Sequence, residues 1–198
     1  MIKAIIFDWF GVCTKENWAD CLARELKQRL NIDEKIIRSE FKKLIQPFAR
    51  TKLTPEDFLK TFLNSLDKTK NPDDFYYLFK TIPKINYELL DFILSLKSHY
   101  QIYLLSNNFG SIFPNYEKEI DFRKYFDKLF LSHKLKLSKT QNKIWEKVLS
   151  KIDFKPTELA FVDNKKKYLE YPKTLGINTI LFLNNEQIKD RISLLDKD

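Results

Sequence analysis

Three observations on this 198-residue chain predict an α/β fold, a parallel five-stranded sheet with a helical unit inserted directly after its first strand. Five short apolar runs, rich in β-branched and aromatic residues, read as strands buried on both faces, because they lack the polar–apolar alternation of a half-wet strand. The last four runs are separated by segments of helical spacing, and alternating strand and helix calls for a parallel sheet with right-handed crossovers. Between the first run and the second, every periodic segment from about residue 15 to residue 80 reads as helix.

The first strand is Ala4–Phe7. Trp18, Cys21, Leu22, Leu26 and Leu30 then form one apolar helical face, and Ile36, Ile37, Phe41, Leu44, Ile45 and Phe48 form a second. Phe58, Leu59, Phe62, Leu63 and Leu66 form a third, opened by Thr54 as N-cap with Pro55 at the first helical position. Phe75, Tyr76 and Phe79 follow Pro72 in a shorter fourth helix. A further helix, Tyr87–Leu96, turns Leu89, Leu90, Ile93 and Leu96 towards the sheet. The expected division is a core of residues 1–14 and 83–198 and a helical cap of residues 15–82.

In the core, strands are expected at 102–105, 128–131, 159–162 and 179–183. Ile144, Trp145, Val148, Leu149 and Ile152 mark a helix between the third and fourth. Another runs from about Lys166 to Leu175 and stops at Gly176, where a left-handed C-cap is wanted. The cap aromatics Trp18, Phe48, Phe58, Phe62, Phe75, Tyr76 and Tyr77 read as packing, while Arg50 and Lys52, before Thr54, are cap cations placed to face a site.

Composition removes several function classes. The chain has three glycines, Gly11, Gly110 and Gly176, where average usage gives roughly fourteen. A dinucleotide fingerprint or a P-loop needs glycines a few residues apart, so neither is present. No run of 18 uncharged apolar residues exists to span a membrane, and the N-terminus is not a signal peptide, since its apolar stretch ends at Asp8. Cys13 and Cys21 lack CxxC spacing and a nearby histidine, so neither a disulfide framework nor a zinc site is indicated and a reducing cytoplasm is expected. The net charge of +8 fits either a biased composition or a field attracting small anions. No basic patch interleaves with aromatics in a nucleic-acid module, so no nucleic acid partner is expected.

Ligands of an open parallel sheet bind beyond the carboxyl ends of its strands. There the first run delivers Asp8, the second Ser106 and Asn107, and the fourth Asp163 and Asn164. Two carboxylates converging on one edge repel unless a cation lies between them, and a hard ion with oxygen ligands, Mg²⁺ in particular, meets that need. Ser106 is expected at the start of the next helix, where free N–H groups favour an anion.

In this order and spacing the residues resemble the haloacid dehalogenase superfamily of hydrolases and phosphotransferases, with its Rossmann-like core and helical cap. Its first motif is matched by Phe7-Asp8-Trp9-Phe10-Gly11-Val12, its second by Leu105-Ser106-Asn107, and its fourth by Asp163-Asn164. Its third, a lysine after the third strand, falls on Lys139, with Lys136 as the alternative. The resemblance implies that Asp8 attacks phosphorus to form an aspartyl-phosphate, that Ser106, Asn107 and Lys139 bind the phosphoryl oxygens, and that Mg²⁺ is held by Asp8, the Phe10 carbonyl, Asp163 and Asn164. It implies a small phosphorylated substrate.

One position departs from the pattern. Phosphatases of the family usually carry a second Asp two residues after the nucleophile, as acid and base, and here Phe10 stands in its place. Three readings accommodate this: a phosphatase that takes the proton from water or another side chain; a metal-independent 2-haloacid dehalogenase, whose leaving group needs no proton; or a degenerate member kept for binding. Asp163 speaks against the second. Gly11, three residues after Asp8, is expected where the backbone turns beside the phosphate, and Gly110 follows the Ser106-Asn107-Asn108 loop.

Overall fold

The computed structural model describes residues 1–49, 54–67 and 69–195, with the backbone alone for 46–49. Its sheet has five parallel strands: β1 (Ala4–Phe7), β2 (Gln101–Ser106), β3 (Lys128–Leu131), β4 (Leu159–Asp163) and β5 (Asn178–Leu181). Their spatial order is β3-β2-β1-β4-β5, with Phe7 level with Leu104 on one side and Val162 on the other. The pleat sends alternate residues to opposite faces. Ile5 and Phe7 therefore join one apolar cluster with Leu104 and Val162, while Ala4 and Ile6 join another with Leu105 and Phe161. A sheet buried on both faces is what the unbroken apolar runs require.

Helices flank the sheet. α4 (Tyr87–Leu96), α5 (Phe113–Glu119) and α6 (Phe122–Tyr125) contribute to the first cluster; α7 (Ser132–Leu135), α8 (Lys143–Leu149) and α9 (Lys166–Thr174) to the second; and α10 (Asn185–Ser193) returns to the first. Trp145 of α8 meets Phe161 edge-on at 4.9 Å. Gly176 has φ +87°, the left-handed conformation expected after α9.

Between β1 and β2 lie α1 (Trp18–Leu30), α2 (Glu34–Ala49), α3 (Pro55–Leu66) and a 3₁₀ segment, Pro72–Phe79. Thr54 caps α3 by accepting from the Asp57 N–H, with Pro55 at the first position, as expected. An aromatic cluster joins these elements: Trp18 lies 5.5 Å from Phe41 and 6.0 Å from Phe79. Trp18 also packs at 5.2 Å on Phe109, which follows β2, so the cap aromatics reach the core. The chain leaves the core at Thr14 and returns at Ile85 through an antiparallel bridge, flanked by Lys15 N–H to Lys84 carbonyl at 2.8 Å and Asn86 N–H to Cys13 carbonyl at 2.9 Å.

Several expectations are corrected. The fourth cap segment is a 3₁₀ helix, and Tyr76 stands partly exposed, donating its hydroxyl to Glu56 at 2.7 Å. Ile36 is exposed on α2, leaving Ile37 and Phe41 as that helix's fully buried residues. The fifth strand ends at Leu181, two residues early, because Asn184 caps α10 and Leu183 N–H turns to the Gln187 side chain. Ser106 ends β2, and the next helix begins only at Phe113, so no helix terminus faces Ser106. The side chain of Phe48, together with Arg50 and Lys52, lies outside the described residues.

Candidate active site

Strand order sets the location. From β1 the chain proceeds to β2 and β3 on one side, then crosses to β4 on the other, so the order reverses between β1 and β4. Crossovers diverge at such a point and leave a crevice at the carboxyl ends. Asp8 follows β1 and Asp163 ends β4, the two strands that border it.

Lys139 fills the space between them. Its ammonium donates to Asp8 Oδ1 and to Asp163 Oδ2, each at 2.6 Å, and its side chain is 1% exposed. The Lys139 backbone N–H donates to Asn107 Oδ1 at 2.8 Å, so the residue beyond β2 fixes the loop that delivers the lysine. Lys136, in the left-handed conformation at the end of α7, does not occupy this position. Asp8 Oδ1 also accepts from the Trp9 N–H at 2.7 Å, and Asp163 Oδ1 accepts from the Lys165 N–H at 2.8 Å. These bonds leave each carboxylate one rotamer, as a reacting or ligating group requires.

The charges do not balance, since two carboxylates face one ammonium. Burial pushes the Asp8 carboxyl up to about 6; Lys139 opposes that rise and Asp163 adds to it. Burial works against the Lys139 charge, but Asp163 and Asp8 outweigh it and hold the ammonium above its ordinary value. Two further groups at this edge are incomplete: among the described residues, Ser106 Oγ and Asn164 Oδ1 are buried without a hydrogen-bond partner. Such orphaned atoms are costly and mark a place for a ligand. Excess negative charge beside oxygen donors fits a hard divalent cation.

The loop after Asp8 shows why glycine survives there. Gly11 has φ +76°, and a Cβ on it would stand 2.2 Å from the Asn164 amide nitrogen. The Gly11 N–H donates to Thr14 Oγ1 at 3.0 Å, which closes the loop. Gly110 carries no such constraint; a Cβ there would meet only His133, at 3.4 Å. Phe10 is buried, with its ring 6.0 Å from Tyr116, so it packs beside the site and offers it no acid.

A cleft of about 450 Å³ opens over Asp8 between core and cap. Asn107 and Lys139 line it from the core, and Asp8 is its one acidic lining residue among those described. The sequence reading did not single out Arg38 and Lys42 of α2, Lys165 and Lys167 around the start of α9, or Phe109 and Tyr168, which also line it. A signal existed for both pairs of cations. Lys165 and Lys167 follow Asp163 by two and four residues, and Arg38 and Lys42 are one helical turn apart beside the apolar Phe41–Ile45 edge.

No family model matches the chain. It is 24% identical over 208 residues to a curated D-ribitol-5-phosphate phosphatase of Bacteroides thetaiotaomicron, covering 98% of both proteins. Among solved structures, a haloacid dehalogenase family enzyme of the same organism superposes with TM-score 0.78 at 22% identity, over 96% of this chain and 98% of that one. A structure of that enzyme in complex with magnesium and inorganic phosphate matches with TM-score 0.71 at 22% identity, over 91% and 94% of the two chains. The chain thus shares its fold with haloacid dehalogenase family enzymes and is similar along its full length to a phosphatase.

Proposed function

We propose that the protein is a Mg²⁺-dependent phosphatase of a small phosphorylated metabolite, acting through an aspartyl-phosphate on Asp8. The observation that carries this reading is the buried Asp8–Lys139–Asp163 array, its ammonium 2.6 Å from both carboxylates at the switch point of the sheet. The similarity to a sugar-phosphate phosphatase along the whole chain supports it, as does the magnesium and phosphate held by a structural relative.

In this reading Asp8 attacks phosphorus and the ester oxygen leaves with the bonding pair; water then cleaves the acyl-phosphate and frees the carboxylate. Lys139, Asn107 and the unpartnered Ser106 hydroxyl bind phosphoryl oxygens. Asp8, the Phe10 carbonyl, Asp163 and Asn164 would hold Mg²⁺, which would supply positive charge to offset that of the nucleophile and the phosphate. No acid besides Asp8 lines the cleft among the described residues, so the leaving group takes its proton from solvent. Two free, buried thiols suit a reducing cytoplasm, and no helix among the described residues is long and apolar enough to cross a membrane.

The test is phosphate release from a broad panel of phosphomonoesters with Mg²⁺ and with EDTA. Release that stops in EDTA and in Asp8→Asn is the expected result. No release from any ester, with Asp8→Asn indistinguishable from wild type, overturns the reading.

A further inference from the structure

The walls of the cleft carry information that its floor does not. Lys42, Lys165 and Lys167 line it, all three are exposed, and none is in an ion pair among the described residues, although Lys165 feels the Asp8 and Asp163 charges on the floor. The other cation of the wall, Arg38, is engaged by Asp20 and Glu34, so it adds little net charge. Lys167 and Lys165 stand 5.0 and 6.0 Å from the Tyr168 ring, which also faces Lys139 at 4.9 Å. This aromatic face holds the lysines together without neutralising them, because it offers a quadrupole in place of a counter-charge. On the cap side the wall is Trp18, Phe41 and Ile45, with Phe109 from the core.

A neutral polyol chain would meet few hydroxyl partners on such a wall, since Asn17 and Ser138 are its only uncharged polar side chains besides Asn107 and Tyr168. Resting on the phosphatase reading, we infer that the substrate is a phosphomonoester with a second anionic group, a carboxylate or another phosphate. The first phosphoryl group sits at Asp8, the second anion faces Lys42, Lys165 and Lys167, and the carbon skeleton lies against the apolar wall. One exposed lysine contributes little to an anion's affinity, but three unpaired ones converging on a single cleft give a directed field.

Matched esters test this. Glycerol 3-phosphate against 3-phosphoglycerate adds a carboxylate, fructose 6-phosphate against fructose 1,6-bisphosphate adds a phosphate, and D-ribitol 5-phosphate represents the neutral polyol. The expected result is a kcat/KM roughly tenfold or more higher for at least one member bearing the second anionic group over its partner and over D-ribitol 5-phosphate. Lys42→Met with Lys167→Met should bring that ratio towards one. Lys60→Met, which removes the same charge from α3 outside the cleft lining, should leave the ratio unaltered and so separate the cleft from the overall charge of +8. Calorimetric binding of the same esters in EDTA reads the cleft without turnover. Selective binding with no phosphate release in Mg²⁺ overturns the phosphatase reading alone. Phosphate release with equal affinity for all five esters, or a ratio indifferent to the double substitution, overturns this inference alone. The carboxylate and phosphate arms identify which second anion is preferred.

Discussion

The floor and the mouth of the cleft treat charge in opposite ways. On the floor, Asp8, Asp163 and Lys139 are buried, bonded to one another at 2.6 Å and aligned by backbone N–H groups. At the mouth, Lys42, Lys165 and Lys167 are exposed and in no ion pair among the described residues. Buried charge survives only where partners hold it, so the floor is rigid and tolerates few substitutions. Exposed lysines are cheap to keep and easy to exchange, because water solvates them whether or not a ligand is present. In the proposed phosphatase the chemistry would belong to the strand ends of the core, and discrimination to the lysines around the rim.

That contrast can be broken most decisively at Asp8. Asp8→Asn keeps the shape and removes the nucleophile, so phosphate release should fall by at least about 10³-fold while the circular dichroism spectrum stays unchanged. A variant within tenfold of wild type would remove the floor from the chemistry. Lys139→Met should act on stability as well: two buried carboxylates lose their shared cation, at a cost of about 3–5 kcal/mol. In a chain of this size that lowers the thermal unfolding midpoint by roughly 10 °C, and added Mg²⁺ should restore part of it.

Phe10→Asp sharpens the comparison by giving the floor an acid. Turnover of alkyl phosphates should rise by about 10²-fold, whereas p-nitrophenyl phosphate, whose leaving group needs no proton, should change by less than about threefold. Equal gains on both substrates would show that proton transfer is not what the floor lacks. The smallest effect is expected at the mouth. Lys42→Met should shift unfolding free energy by no more than about 0.5 kcal/mol, measured by urea denaturation, as for exposed surface sites in general.

The sequence made the floor legible and the mouth much less so, for a physical reason. Asp8, Ser106 and Asp163 each terminate an apolar run, and a strand end in a parallel sheet has one destination in space. Lys139 was harder, since a loop lysine has no periodicity; the Asn107 bond to its backbone N–H fixes it, and that bond is made only in three dimensions. Ser106 is expected at the start of the next helix, but that helix begins only at Phe113. Instead Asn108 Oδ1 accepts from Phe109 N–H at 2.7 Å, and its backbone exchanges bonds with Ser132 Oγ beyond β3. Cap cations were sought at Arg50 and Lys52, whereas the described residues bring Arg38 and Lys42 to the cleft from the polar edge of α2. Lys165 and Lys167 follow Asp163 by two and four residues, but in a basic chain that spacing alone does not separate cleft lysines from a solvated face.

The crossing at Thr14 and Ile85 has a consequence of another kind. Exit and re-entry of the inserted helices are neighbours in space, joined by the Lys15–Lys84 and Asn86–Cys13 backbone bonds and buttressed by Asn86, whose side chain donates to the Val12 carbonyl at 3.1 Å. The sheet therefore sees the whole intervening stretch as a single closed loop, and the entropy of closing such a loop grows only logarithmically with its length. The length of the insert therefore weighs little on the closure itself, which these backbone bonds set. Exit and re-entry share this one backbone seam, while side-chain packing such as Trp18 on Phe109 ties the inserted helices to the core as well.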